Sequence, residues 1–320
     1  MLWLAIAAFL AAPQGPVIRV PVHLVSVPAL VFAGDGKCVA GLEASDFQVL
    51  DEGRPQHFTL DTDYLPPSVA VVVQVSAQVR QYLPFISKAG SAVEDLLVGE
   101  NGEAAIITYD DFVTVRKDFE AGETRAAFRK ISVGGKRSRM IDAAMAGVDL
   151  LKQQPASRSR VLLLIGQPSD RGSQADLEAL REEAERENVT IFALALPQFN
   201  KAFIEDTFSL QGPGFKEERG GYKAGVDLSK LVPTLAHESE GQVGADPFAM
   251  LTHATGGTLL HFRTQRALED AVGIVGTELR SVYTLSFPPD STQPGYHNLK
   301  VEVNVPGAVP YARPGYRLPQ

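Results

Sequence analysis

Gln74-Val75-Ser76-Ala77-Gln78 follows an apolar run, "VAVVV" (Val69–Val73), and leads into residues with helical periodicity. A loop at the end of a buried strand is where an α/β sheet usually presents its working groups. This loop carries two amides and one hydroxyl, with no carboxylate, nucleophile elbow or phosphate-cradling glycine. Its chemistry is therefore uncharged hydrogen bonding. Carboxylates lie at the ends of other elements: Asp110-Asp111 after a second strand, Asp142 in the first turn of a helix, and Asp170 in a loop after a later strand. The helix dipole alone favours an acid at Asp142, and a solvated turn accounts for Asp110 and Asp111. The strand ends gather Gln74, Ser76, Gln78, Ser138, Arg139, Gln167 and Asp170 into one polar face, with Lys136 and Arg137 beside it.

Other chemistry is thinly supported. His23, His57, His237, His253, His261 and His297 are scattered, with no His-Glu-x-x-His pair. No Gly-x-Ser-x-Gly elbow, Walker loop or Gly-x-Gly-x-x-Gly fingerprint occurs, and "QGPGF" opens no helix. Cys38 stands alone, which excludes an internal disulfide and a cysteine-based zinc site. A net charge of −8 argues against nucleic acid, and no basic cluster marks a membrane surface. A hydrolase or nucleotide-binding enzyme is the minority reading, because fold analogy alone warrants no activity.

The elements that must position these residues fall into four segments. Residues 1–15 form a signal-like segment: Met1–Ala12 is uninterrupted apolar sequence, too short to span a bilayer, without a basic start. Residues 16–63 read as β structure, with Pro21 and Pro28 suited to an edge strand and a turn at Glu52-Gly53. Residues 64–281 alternate strands (69–75, 104–109, 113–117, 160–165, 190–195, 258–262) with helices near 79–98, 122–131, 139–152, 174–187, 246–255 and 265–281. This is a doubly wound, mostly parallel α/β sheet, with 113–117 as its antiparallel edge. Ser173 followed by Asp176 reads as a capping box. A long insertion at about 197–245 carries Phe199, Phe203, Phe208, Phe215 and Tyr222, and a short helix is expected at 228–236. Residues 282–320 return to β. The last helix of such a unit ends on the side where its first strand begins. The two β segments therefore emerge together and are expected to pair as one small sandwich.

Several phrases resemble the von Willebrand factor A (vWA) fold, and more closely the "VWFA-related domain" proteins typical of Acidobacteria. They are "GLEASDFQVLDEGRPQHF", "ITYDDFVTVRKDF", "GGKRSRMIDAAMAGVDLL", "ATGGTLLHF" and "ELRSVYTLSF…RPGYRLP". The resemblance implies a metal-ion-dependent adhesion site (MIDAS): Asp-x-Ser-x-Ser after the first strand, a Thr before the third long helix, and an Asp after the fourth strand. Here those positions read Gln74, Ser76, Gln78, Ser138 and Gln167, so both carboxylates of the site are replaced by amides. Mg²⁺ prefers hard, charged oxygen ligands, and neutral amides do little to offset its dehydration. The expectation is a non-catalytic protein-binding module with a degenerate MIDAS, no cofactor, and an unidentified protein partner, secreted or periplasmic. Two alternatives stand beside it. Mg²⁺ binding is retained through Ser76, Ser138 and Asp170, or the chain is a structural component of an envelope assembly.

Overall fold

The computed structural model describes residues 24–119, 122–197, 246–291 and 293–318. The signal-like segment, most of the insertion with its aromatics, and the helix expected at 228–236 lie outside them.

The central strand β5 (Pro67–Gln74) is buried along its whole length, as a continuous valine run covered on both faces must be. Alternate residues serve opposite layers. Val69, Val71 and Val73 enter one apolar core, and Ala70 and Val72 enter the other. β6 (Glu103–Tyr109) and β8 (Ser159–Gly166) pair parallel with its two edges. β9 (Thr190–Ala195) and β10 (Leu259–His261) extend the sheet beyond β8. β7 (Val113–Lys117) closes the far side antiparallel to β6. The order β10-β9-β8-β5-β6-β7 reverses direction of travel at β5, which makes the sheet doubly wound and of the vWA type.

Three helices cover the Ala70/Val72 face: α4 (Met140–Leu151), α5 (Leu177–Arg186) and α6 (Pro247–Thr255). On the opposite face lie α3 (Thr124–Arg129), α7 (Gln265–Arg280) and a broken helical stretch. That stretch corrects the single helix expected at 79–98. It consists of a 3₁₀ turn at Ala77–Val79, α1 (Leu83–Ile86), α2 (Gly90–Ala92) and a π turn at Val93–Val98. Gly90 is the reason the chain can pack here: a Cβ on it would lie 2.8 Å from that of Phe128.

The terminal strands form two antiparallel sheets that share one core. In one, β1 (Val25–Phe32) lies between β13 (Val309–Ala312) and β11 (Tyr283–Phe287), and β4 (Thr59–Asp61) pairs with β11. In the other, β12 (Gly295–Val303) lies between β14 (Gly315–Leu318) and β2 (Phe47–Asp51), whose hairpin partner is β3 (Arg54–Gln56). Strands from the two ends of the sequence thus build the small sandwich together. β1 is an inner strand, however, and not the edge expected from Pro28. Its pairing with β13 begins at Ala29, one residue past the proline, so the missing N–H falls short of that ladder.

The sandwich is bonded to the α/β unit. Arg317 of β14 reaches Glu178, Glu182 and Glu185 of α5. The buried Arg313 donates to Asn188 Oδ1 (3.1 Å) and to the carbonyl of Ser26 (2.7 Å), and burial pushes its guanidinium down to about 10.

Candidate functional site

Three loops meet at the C-terminal ends of β5, β6 and β8. The loop after β5 is tied to residues 134–135 by two backbone bonds, Ala77 N to Gly135 O and Gly134 N to Val75 O, each 2.8 Å. Residues 138 and 171 then form an isolated antiparallel bridge, joining that second loop to the one after β8. Backbone bonding thus ties the three segments together.

Inside this frame Gln74, Ser76, Ser138 and Gln167 are all buried. The backbone N–H of Gln167 donates to Gln74 Oε1 at 2.7 Å. An N–H can only donate, so this contact fixes which end of the amide is oxygen. The other end, Nε2, points at two hydroxyls. It donates to Ser76 Oγ at 2.8 Å and lies at 3.5 Å, a weak contact, from Ser138 Oγ. Ser138 gives its own proton to the carbonyl of Ser169 at 2.9 Å, leaving lone pairs toward Gln74. Gln167 turns away and donates Nε2 to the carbonyl of Pro197 at 2.8 Å. Gln78 is exposed at the rim, with Nε2 on the carbonyl of Lys136 at 2.5 Å.

The acids flanking this cluster are engaged elsewhere. Asp110 accepts from Phe112 N (2.8 Å) and Gly135 N (2.7 Å). Asp111 accepts from Lys136 N (3.1 Å) and Arg137 N (2.7 Å). Together they clamp the 134–137 loop through its backbone. Asp170 accepts from Ile141 N at 3.0 Å, so it caps α4 from a neighbouring loop, and it also takes the Ser173 hydroxyl at 2.6 Å. Asp142 pairs with Arg139 at 2.6 Å and accepts from Gln174 N and Ala175 N. Burial works to raise the Asp142 carboxyl, but those N–H groups and the guanidinium outweigh it and hold it below the usual carboxylate range. Ser173 is thus spent within this loop. The cap of α5 is Asp176 itself, which accepts from Glu178 N and Ala179 N, so the helix starts later than the expected capping box.

Two residues of the site escaped the sequence reading. Tyr109 closes β6 fully buried, and its hydroxyl has no hydrogen-bond partner among the described residues. Burial, and then the charge of Asp170, raise its phenol. Gly166 closes β8 beside it, where a Cβ would lie 2.5 Å from the Tyr109 hydroxyl and 2.8 Å from Gln74 Cβ. The only signal was positional: a phenol and a glycine, each at the last residue of a buried strand.

A hard cation needs about six oxygen lone pairs converging on one point. Here the Ser76 and Ser138 hydroxyls face the N–H donors of Gln74, and the Gln74 amide oxygen is bonded to a backbone N–H. Among the described residues, no three His, Cys, Asp or Glu side chains are grouped to hold a metal. This donor set fits a divalent ion poorly.

No family model and no curated protein matches the chain. Solved structures do resemble it. A von Willebrand factor type A protein from Catenulispora acidiphila is 9% identical, with 95% of this chain and 76% of that one covered and a TM-score of 0.45. An aerotolerance-related membrane protein from Bacteroides fragilis is 12% identical, with 66% of this chain and 99% of that one covered, at 0.42. Proximal thread matrix protein 1 from the mussel byssus, with a zinc-occupied MIDAS motif, is 12% identical, with 72% of this chain and 49% of that one covered, at 0.44. Likenesses this distant transfer no site and no partner. The fold assignment stands on the strand order and pairing described above.

Proposed function

We propose that this chain is a non-catalytic, protein-binding module of the vWA type whose binding face works without a divalent metal. The supporting observation is the orientation of the Gln74 amide. Its nitrogen presents hydrogens to the hydroxyls that, by resemblance, would ligate the ion, and its oxygen is held by Gln167 N–H. A neutral donor thus stands where the vWA pattern puts a cation, and Gln74, Ser76, Ser138 and Gln167 are buried together with no formal charge among them. The face around it offers the exposed Gln78, Lys136, Arg137 and Arg171 to a partner. No helix among the described residues is long and apolar enough to cross a membrane. The apolar stretch Met1–Ala12 supports export, secreted or periplasmic, as part of the same reading.

Calorimetric titration with Mg²⁺ and Mn²⁺ tests the proposal. The expected result is no saturable heat at concentrations up to roughly 10 mM, a dissociation constant too weak to matter. Micromolar binding that disappears in Ser76→Ala would instead establish a retained metal site through Ser76, Ser138 and Asp170, and the metal-free reading would be abandoned.

A further inference from the structure

The loops of the strand-end face sort their charges by sign. In segments 75–81, 110–112, 132–139 and 167–173, every exposed charged side chain is a cation: Arg80, Lys136, Arg137 and Arg171. None of the four joins an ion pair among the described residues, whereas the half-buried Arg139 is taken by Asp142. The carboxylates of the same segments, Asp110, Asp111 and Asp170, are half-buried and turned onto backbone N–H groups of Gly135, Lys136, Arg137 and Ile141. They offset part of the positive field, but the layer that a partner touches is cationic. The chain as a whole carries a charge of −8, so this layer does not follow from composition.

Beside the cations stands an apolar pair. Phe112, at the tip of the β6–β7 hairpin, is 70% exposed, more than any other large apolar side chain described, and Val133 is 39% exposed. A lone exposed apolar residue needs no explanation. These two adjoin one another and are held in place. The Phe112 N–H donates to Asp110 Oδ1 at 2.8 Å, and the Phe112 carbonyl accepts from Asp110 N at 3.0 Å. The carboxylates of Asp110 and Asp111 press so closely on Gly134 and Gly135 that a Cβ at either glycine would collide with them. Phe112 and Val133 flank that contact in the chain, so the two glycines bring both apolar residues to one edge of the face. Arg137 lies across the neighbouring loop, its Cδ 3.3 Å from where a Cβ on Gly172 would sit, next to Arg171. An aromatic anchor beside free cations on a fixed frame is what a peptide interface uses.

Taking this surface as the metal-free binding face, we infer that it docks an acidic peptide segment of a partner protein. An apolar side chain of that segment packs on Phe112 and Val133, and its carboxylates meet Lys136, Arg137 and Arg171. Each guanidinium offers a carboxylate two parallel N–H donors. The charged rim steers and orients the segment, and the apolar contact retains it. No carboxylate has to enter the neutral Gln74 cluster.

Selection from a random twelve-residue peptide library displayed on phage, against the full chain in EDTA, reads the chemistry of the partner. The expected result is enrichment of peptides rich in Asp and Glu around one or two apolar residues. Synthesised with a fluorescent label, they should bind with a dissociation constant of roughly 100 μM or tighter by anisotropy. Binding should weaken several-fold between roughly 50 and 500 mM salt. Phe112→Ser, and the double variant Lys136→Glu with Arg137→Glu, should each weaken it at least about tenfold. These side chains are exposed, so both variants should keep the parent's thermal midpoint. Should either melt early, Val133→Ser and Arg171→Glu decide in its place. Enrichment of basic or uncharged peptides, no enrichment, or binding indifferent to the variants would overturn the inference and leave the metal-free reading to its own titration. Tighter binding of a twelve-nucleotide oligothymidylate than of the acidic peptides would overturn it in favour of nucleic acid. Acidic peptides bound only with Mg²⁺, and lost in Ser76→Ala, would overturn the metal-free reading itself.

Discussion

At the strand tips Gln74, Ser76, Ser138 and Gln167 are buried with no formal charge among them. At the junction of α5 and β14, Glu185 is just as deeply buried, but it lies between the guanidiniums of Arg181 and Arg317. Burial pushes the Glu185 carboxyl up against the pull of both arginines. In the first region amides and hydroxyls satisfy one another. The second stays closed because each buried charge has an opposite neighbour. The lesson is that this chain keeps charge out of the buried Gln74/Ser76/Ser138/Gln167 cluster while tolerating it elsewhere, so that neutrality is a local property and not a general habit of the core.

The sharpest way to break this contrast is to put a charge back at the tips. Gln74→Asp buries a carboxylate with no cation beside it and deprives Gln167 N–H of its present partner. In chelating buffer, urea denaturation is expected to show a loss of about 3–5 kcal/mol. Mg²⁺ is expected to restore part of that loss in the variant and to leave the parent unchanged.

Glu278 sharpens the contrast from a third direction. It is fully buried, accepts from the Thr258 hydroxyl at 2.8 Å, and burial raises its carboxyl from 4.5 to about 7. Between those values the folded chain keeps a proton that the unfolded chain has released. Stability therefore falls as pH rises through that window and levels off above it, by roughly 3 kcal/mol in all. Denaturation midpoints measured across the window should show this slope, and Glu278→Gln should flatten it. Asp142, whose carboxyl is depressed, contributes with the opposite sign: its stabilisation is present above the ordinary carboxylate range and lost as pH falls.

Smaller effects follow. Glu185→Ala removes the hub of the junction, but Arg181 keeps Glu178 and Arg317 keeps Glu182. A loss of about 2 kcal/mol in urea denaturation is expected, set by charge-assisted hydrogen bonds and not by stranded cations. Gln78→Ala, at the exposed rim, should change stability by no more than about 0.5 kcal/mol. A larger change would mean that the rim amide helps to close the loops.

Much of the architecture was legible because its causes are local. The valine run of β5 can only be a doubly covered strand, and the polar alternation of 297–303 can only be a sheet with one wet face. The misread elements depend on contacts across the sequence. The break near Gly90 depends on Phe128, and the late start of α5 depends on Ser173 being engaged by the backbone N–H of Asp142. At the candidate site, residue types and positions were readable, but the direction of the Gln74 amide was not. That direction is set by a backbone N–H lying 93 residues away.

The pairing of β1 with β11 and of β2 with β12 has a consequence for biosynthesis. A ribosome emits β1 and β2 long before β11 and β12, so while the α/β unit emerges β1 lacks its partners and β2 has only its hairpin neighbour β3. Their apolar faces are open to other chains during that interval. Masking those faces until β11 and β12 emerge would therefore favour correct pairing over association with other chains.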